Sequence, residues 1–221
     1  MVCNDYWMRR DFKDVNMKAL NITCKIFGVE DAIDEELFLP VVQTSKATEI
    51  LLKTIPWGVR NVAIVFSSES PRKMMHPIKW HGIVERLLAQ NCFVIQIGRL
   101  GDVPIRGAYT LLGATTPLQV FDLLKKVDVL ITLDNYLMHA ARLVHTPTIA
   151  LFGPTEASRY GYNEHFCIQA DLSKCDQSDK CLGPHVSENY DKPCPLCEEH
   201  CMNTHDEAKI VDITMSIINK K

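Results

Sequence analysis

Apolar positions along the chain change their spacing near residue 60. Before that point, Met17, Leu20, Cys24 and Phe27 recur every three or four residues, and Gly28 follows where a helix C-cap is expected. A polar stretch leads to Ser45, an N-cap for a second helix carrying Ile50, Leu51, Leu52 and Ile55 and closed by Pro56. Residues 1–57 therefore read as a helical lead-in, with Gly58 at the junction. From Asn61 onward, short unbroken apolar runs take over. Residues 62–66, 93–97, 129–133 and 148–152 are runs of the kind that a parallel sheet buries on both faces, and 108–112 is a weaker fifth strand. Between them the helical period returns at 78–89, 117–126 and 135–144. A closing helix over 206–219 turns Ile210, Val211, Ile213 and Ile217 inward.

Strands alternating with helices of this length predict an α/β fold with a doubly wound, Rossmann-like parallel sheet over residues 58–221. Such sheets bind ligands beyond the carboxyl ends of their strands. The loops after Phe66, Ile97, Leu133 and Phe152 then share one rim, and their residues are the candidates for chemistry.

The first loop, Ser67-Ser68-Glu69-Ser70-Pro71-Arg72-Lys73, gathers hydroxyls and two cations directly after a strand. Ser67, Ser68 and the backbone N–H groups suit phosphate oxygens, and Lys73 suits a diphosphate as a point charge. The plainer reading is a solvated turn. In the second loop, Asp134 and Asn135 stand where a strand ends and a helix begins, and His139 follows one turn in. Asp134 alone reads as a helix N-cap, but a helix N-terminus at a strand's carboxyl end is also an anion site. The third loop brings Gly153 and Thr155 to the same rim.

Composition narrows the partners. The formal net charge is −3, with no field to gather nucleic acid or an anionic membrane. No apolar run approaches the roughly 20 residues a bilayer span needs, and residues 1–7 lack the basic and apolar regions of a signal peptide. A cytoplasmic protein with no nucleic-acid partner is expected.

Five of the nine cysteines crowd into residues 171–205 as Cys175, Cys181, Cys194, Cys197 and Cys201. Cys194-Pro195-Leu196-Cys197 is a knuckle whose spacing lets two thiolates reach one tetrahedral ion. Cys175 and Cys181 complete a four-thiolate set, with Cys201 as a possible substitute, or His185, His200 or His205. In a reducing compartment such clusters are more often metal ligands than disulfides, and a polar segment without hydrophobic periodicity gains little from packing alone. Zinc is the default ion and iron the next, in a closed, structural site. The plainer alternatives are free thiols or a disulfide.

The run Asp134-Asn135-Tyr136-Leu137-Met138-His139-Ala140-Ala141, followed by Thr146-Pro147-Thr148-Ile149-Ala150-Leu151-Phe152-Gly153-Pro154-Thr155, resembles the signature of glycosyltransferase family 9, the heptosyltransferases of lipopolysaccharide biosynthesis. Gly161-Tyr162-Asn163 continues the likeness, which covers about residues 61–166. The resemblance implies the carboxyl-terminal, donor-binding half of the two-domain GT-B architecture. It implies that Lys73 and Ser68 hold the diphosphate of a nucleotide-diphosphate sugar, that Asp134 and His139 contact the donor, and that Thr155 borders the site. Asp102 is the candidate for the family's acidic residue near the donor ribose. The acceptor, a glycan or protein, and the base that deprotonates it belong to an amino-terminal domain with no counterpart here. A partner chain or a homo-oligomer would then complete the enzyme. Some autotransporter-modifying members that the cysteine segment resembles hold an iron in the same region. Many members place a small residue and glycine after the acidic residue, where this chain has Asn135-Tyr136, so Tyr136 is expected to crowd the diphosphate or fill the site. The alternative function is a non-catalytic nucleotide-sugar-binding or scaffold module with a structural metal knuckle.

Overall fold

The computed structural model describes residues 44–173, 175, 181, 191–196 and 200–220. The helix expected over residues 17–28, the residues 182–190 and Cys197 lie outside the described residues. In chain order the elements are α1 (Lys46–Thr54), β1 (Asn61–Ile64), α2 (Pro77–Ala89), β2 (Phe93–Gly98), β3 (Tyr109–Leu112), α3 (Pro117–Leu124), β4 (Val129–Leu133), α4 (Tyr136–Leu143), β5 (Thr148–Phe152), the short α5 (Ala157–Tyr160), β6 (Phe166–Gln169) and α6 (Glu207–Ile218). Single 3-10 turns lie at Pro71–Lys73 and Cys201–Thr204.

Six strands form one all-parallel sheet in the order β3-β2-β1-β4-β5-β6. Side chains alternate across it, as the two-residue period of a strand demands. Val62, Ile64, Val129, Ile131, Ile149 and Leu151 point to one face, where Trp80, Ile83, Val84 and Leu87 of α2 meet Ile210, Val211 and Ile217 of α6. Ala63, Val65, Ile95, Ile97 and Leu130 point to the other, beneath α3, α4 and the apolar edge of α1. Burial on both faces explains why these strands read as unbroken apolar runs.

Local chemistry sets the helix ends. Ser45 Oγ accepts the Thr48 N–H, as its position in sequence predicts. Thr116 and Gln119 form a reciprocal capping box ahead of α3, and Pro117 at the first helical position gives up no needed hydrogen bond. Asp206 Oδ1 caps α6 through the N–H groups of Ala208 and Lys209. Gln96, a fully buried polar residue in β2, donates to the Val103 carbonyl and accepts from Ile105 N–H, pinning the loop after β2.

The strand order reverses direction between β1 and β4. In open α/β sheets that switch point opens the crevice where ligands sit. The two loops that leave it begin at Ser67 and Asp134.

Candidate functional site

At the switch point, the two loops are tied to each other. Asn135, the N-cap of α4, accepts the Leu137 N–H on Oδ1 and donates from Nδ2 to the Ser67 carbonyl at 3.2 Å. Thr132, buried in β4, lies with Oγ1 3.1 Å from the same Oδ1. Because Asn135 caps the helix, the Asp134 carboxylate is released from that duty. Its Oδ2 accepts from Lys73 Nζ at 2.7 Å and from Thr155 Oγ1 at 2.7 Å. Both side chains of the ion pair are largely buried, so water screens it little. Residues from three separate strand-end loops therefore converge on one oxygen.

The neighbouring loop end is organised by Asp102, whose Oδ2 accepts from Ser67 Oγ at 2.5 Å and from Arg99 N–H at 2.8 Å. Arg99 Nη2 donates to the Ser68 carbonyl at 3.1 Å, fastening the loop after β2 to the loop after β1. Tyr136 is half exposed, and its hydroxyl donates to the Pro117 carbonyl at 3.4 Å. Its phenol is thus tethered to the start of α3.

On the other flank, His139 Nδ1 lies 2.5 Å from the Tyr162 hydroxyl. His139 opens to solvent, yet the protein around it displaces enough water to hold its imidazole below the ordinary value; Asp134 pulls it up, while Lys73 and Arg142 push it down. The Arg142 guanidinium stacks 4.2 Å from the Tyr162 ring centre and pairs with Glu164. His165 meets the Tyr162 ring edge-on at 5.3 Å. Tyr162 is thereby held on several sides and keeps its proton: burial raises its phenol, with Arg142 working against the rise.

Described parts of the cysteine-rich segment reach the loops of the rim: Met202 and Cys201 lie against Gly153, and Arg72 Nη1 donates to Cys181 Sγ. Cys175, Cys181, Cys194 and Cys201 are all outside disulfides. Burial pushes the Cys201 thiol up to about 12, and Cys181, Cys175 and Cys194 push it the same way. Among the described residues, no three cysteine, histidine or acidic side chains form a ready metal cage. Gly153 is where this segment touches the sheet. A Cβ there would run into Met202 Sδ and lie 3.2 Å from Cys201 Sγ, so only glycine fits without repacking. The Gly153 carbonyl accepts from Gln169 Nε2 at 2.7 Å, which fixes the turn leading to Thr155.

The model of glycosyltransferase family 9 (heptosyltransferase) matches residues 43–182, more than half of the chain. The chain belongs to glycosyltransferase family 9. No curated protein sequence matches it. Among solved structures, a family 9 glycosyltransferase from Veillonella parvula superimposes with a TM-score of 0.67 at 12% identity, over 93% of this chain and 61% of that one. The iron-containing, dodecameric glycosyltransferase TibC of enterotoxigenic E. coli gives 0.68 at 17% identity, over 95% and 54%. TibC in complex with ADP-D-β-D-heptose gives 0.56 at 18% identity, over 73% and 45%. The E. coli ADP-heptose lipopolysaccharide heptosyltransferase II gives 0.53 at 18% identity, over 72% and 54%. This family 9 chain thus shares the fold of those proteins and spans between about half and three fifths of their lengths.

Within the family 9 chain, the structure brings Ser67, Lys73, Asp134, Asn135 and Thr155 together directly, with Ser68 held alongside through its carbonyl. His139 joins Tyr162 instead. Arg99, Arg142 and His165 carry no local sequence signal for a site, while Arg72 reads only as one of two loop cations and Tyr162 only as part of the family likeness. Their side chains find partners 20 to 120 residues away in the chain, save the His165–Tyr162 ring contact. No helix among the described residues is long and apolar enough to cross a membrane.

Proposed function

We propose that this chain is the donor-binding part of a glycosyltransferase that takes a sugar, of the heptose class, from a nucleoside-diphosphate donor and passes it to a glycan or protein acceptor. The convergence of Lys73 and Thr155 on Asp134 Oδ2 at the switch point carries this reading. Held by Asp134, the Lys73 ammonium keeps further N–H donors for a diphosphate. In the reaction the acceptor oxygen bonds to the anomeric carbon, the bond from that carbon to the diphosphate breaks, and the acceptor proton passes to a base. Charge grows on the leaving diphosphate, and a preorganised cation with the helix N-terminus at Asn135 lowers that barrier. Asp134 thus acts by aiming Lys73, and His139 borders the sugar side with Tyr162 fixing its ring. The acceptor site and the base come from another part of the full protein or from a partner subunit, and self-association is a natural arrangement. TibC, which shares the fold, is dodecameric and has been solved with ADP-D-β-D-heptose.

A structural metal, zinc or iron, in the cysteine segment belongs to the same proposal and rests on the Cys194–Cys197 spacing. Cys175, Cys181, Cys194 and Cys201 are free thiols, and Arg72 Nη1 donates to Cys181 Sγ. Cys175, Cys181 and Cys194 would hold the metal, with Cys197 or Cys201 as the fourth ligand. Bound there, the metal supplies cross-linking of a segment that has little apolar packing of its own. Cytoplasmic residence follows from the need for reduced thiols and a nucleotide donor.

Titration with ADP, followed by thermal unfolding, tests the donor site. At a hundredfold excess over Kd, binding contributes about 2.7 kcal/mol, or a rise of about 5–10 °C for a chain this size. Lys73→Ala and Asp134→Ala should each remove most of that rise. No rise with ADP, UDP or their sugar conjugates would reject the donor reading.

A further inference from the structure

His139 and Arg142 stand one turn apart on α4, and Tyr162, Glu164 and His165 come to them from the stretch between α5 and β6. The hydrogen bonds among these side chains decide where the protons lie. Burial raises the Tyr162 phenol, so the hydroxyl keeps its proton at neutral pH. Arg142 donates a hydrogen bond to that phenol while Glu164 holds its guanidinium. A guanidinium has no lone pair with which to accept one in return. The phenol proton therefore goes to the acceptor that lies 2.5 Å from its oxygen, His139 Nδ1. An imidazole that accepts at Nδ1 is neutral and carries its hydrogen on Nε2.

We propose that His139 serves the nucleotide-sugar donor as an uncharged hydrogen-bond donor, its Nε2–H set by the Glu164–Arg142–Tyr162 chain and offered to an oxygen where the diphosphate joins the sugar. Tyr162 and Arg142 are then positioning residues that act through His139. This inference rests on the donor reading above. Asp134 and Lys73 both act electrostatically on His139, which sets its ring beside the pair that gathers the diphosphate. Lys73 already supplies a positive charge there, and a neutral N–H adds direction without a second cation to repel it. Taking up a proton would place a new charge near Arg142 and Lys73 and leave the Tyr162 proton without its acceptor. Of the groups around the ring, Arg142 and Lys73 oppose that step, as does the displacement of water, while Asp134 favours it. Glu164 is paired with Arg142, and His165, itself neutral at about 4 and above, meets the far side of Tyr162.

The test begins on the whole chain without ligand. Nitrogen-15 NMR of histidine-labelled protein, with the His139 signals assigned through His139→Gln, should show the neutral Nε2–H form at pH 7 and below the ordinary histidine value of 6.5. Tyr162→Phe removes the hydroxyl but keeps the ring, and should give a mixture of the two neutral forms. Calorimetry with ADP and ADP-heptose then reads the use of that N–H. His139→Ala should weaken binding about tenfold, the worth of one good hydrogen bond. His139→Gln, whose amide nitrogen reaches the place of Nε2, should recover part of the loss, and His139→Asn, whose amide stands at the place of Nδ1, should not. For ADP-heptose, whose diphosphate takes up no proton near neutrality, wild-type affinity should stay level from pH 7.5 to about 5.5. Tyr162→Phe should bind it more weakly and vary with pH over that range. A loss shared by ADP and ADP-heptose identifies a phosphate oxygen as the acceptor, and a loss confined to ADP-heptose identifies a sugar hydroxyl; either supports the proposal. An Nδ1–H imidazole in folded wild type would overturn it and leave the donor reading standing, as would a folded His139→Ala chain that binds both ligands as wild type does. Wild type that shows the Nε2–H form but binds neither ligand would bring down the donor reading, and the use given to His139 with it.

Discussion

Single residues decide how the rim is wired. Asp134 was legible in the sequence as a strand-end carboxylate, but its partners were not, because a local pattern assigns it to the helix cap. The structure gives the cap to Asn135, which leaves Asp134 to gather Lys73 and Thr155. Tyr136 shows a similar limit. Its size predicts that it crowds the diphosphate or fills the site, and the sequence gives no hint of the Pro117 carbonyl that its hydroxyl reaches. Two buried histidines give the protein a distinct response to acid. Burial holds His205 at about 4, against the pull of its hydrogen bond to the Phe152 carbonyl, and burial likewise brings His165 to about 4. Both are neutral in the fold but take up protons when unfolded once pH falls below about 6.5. The unfolded state then binds more protons, so stability falls as pH drops from about 6.5 and levels off near 4. Urea unfolding at pH 7 and pH 4.5 should differ by a few kcal/mol, and replacing His205 with glutamine should shrink the difference.

At the scale of elements, the periodicities recover five of the six strands of the described residues and their helices α1, α2, α3, α4 and α6, along with the Ser45 cap. The missing strand, β6, has a physical excuse. It sits at the sheet edge, its outer residues Phe166 and Gln169 are exposed, and it therefore lacks the continuous apolar run that marks the inner strands. Its role was equally hidden, since Gln169 braces Gly153 and the start of α5 only after the chain has folded back. The capping box ahead of α3 joins Thr116 and Gln119, and it holds the helix that floors one face of the sheet. Thr116→Ala should cost about 1 kcal/mol, seen as a lower urea midpoint with an unchanged slope. ADP affinity should not change, because the box lies outside the Lys73–Asp134 cluster.

For the molecule as a whole, the parallel sheet and the gathering of its strand-end loops on one rim followed from alternating strands and helices, whereas the contact of Cys181 and Cys201 with those loops did not. Arg72 meets Cys181 across 109 residues of sequence, and no spacing rule forecasts such a contact. Elemental analysis of purified protein should find about one zinc or iron per chain; a folded, metal-free protein would end that part of the reading. The paths by which the polypeptide enters and leaves the sheet have a further outcome. The carboxyl end of α1 lies beside the start of β3, where Tyr109 Oη donates to the Thr54 carbonyl. α6 instead descends from Phe152 to Asn219, next to Arg60 on the far side. A tag fused after α6 would therefore leave from the side of the sheet opposite the Lys73–Asp134 cluster.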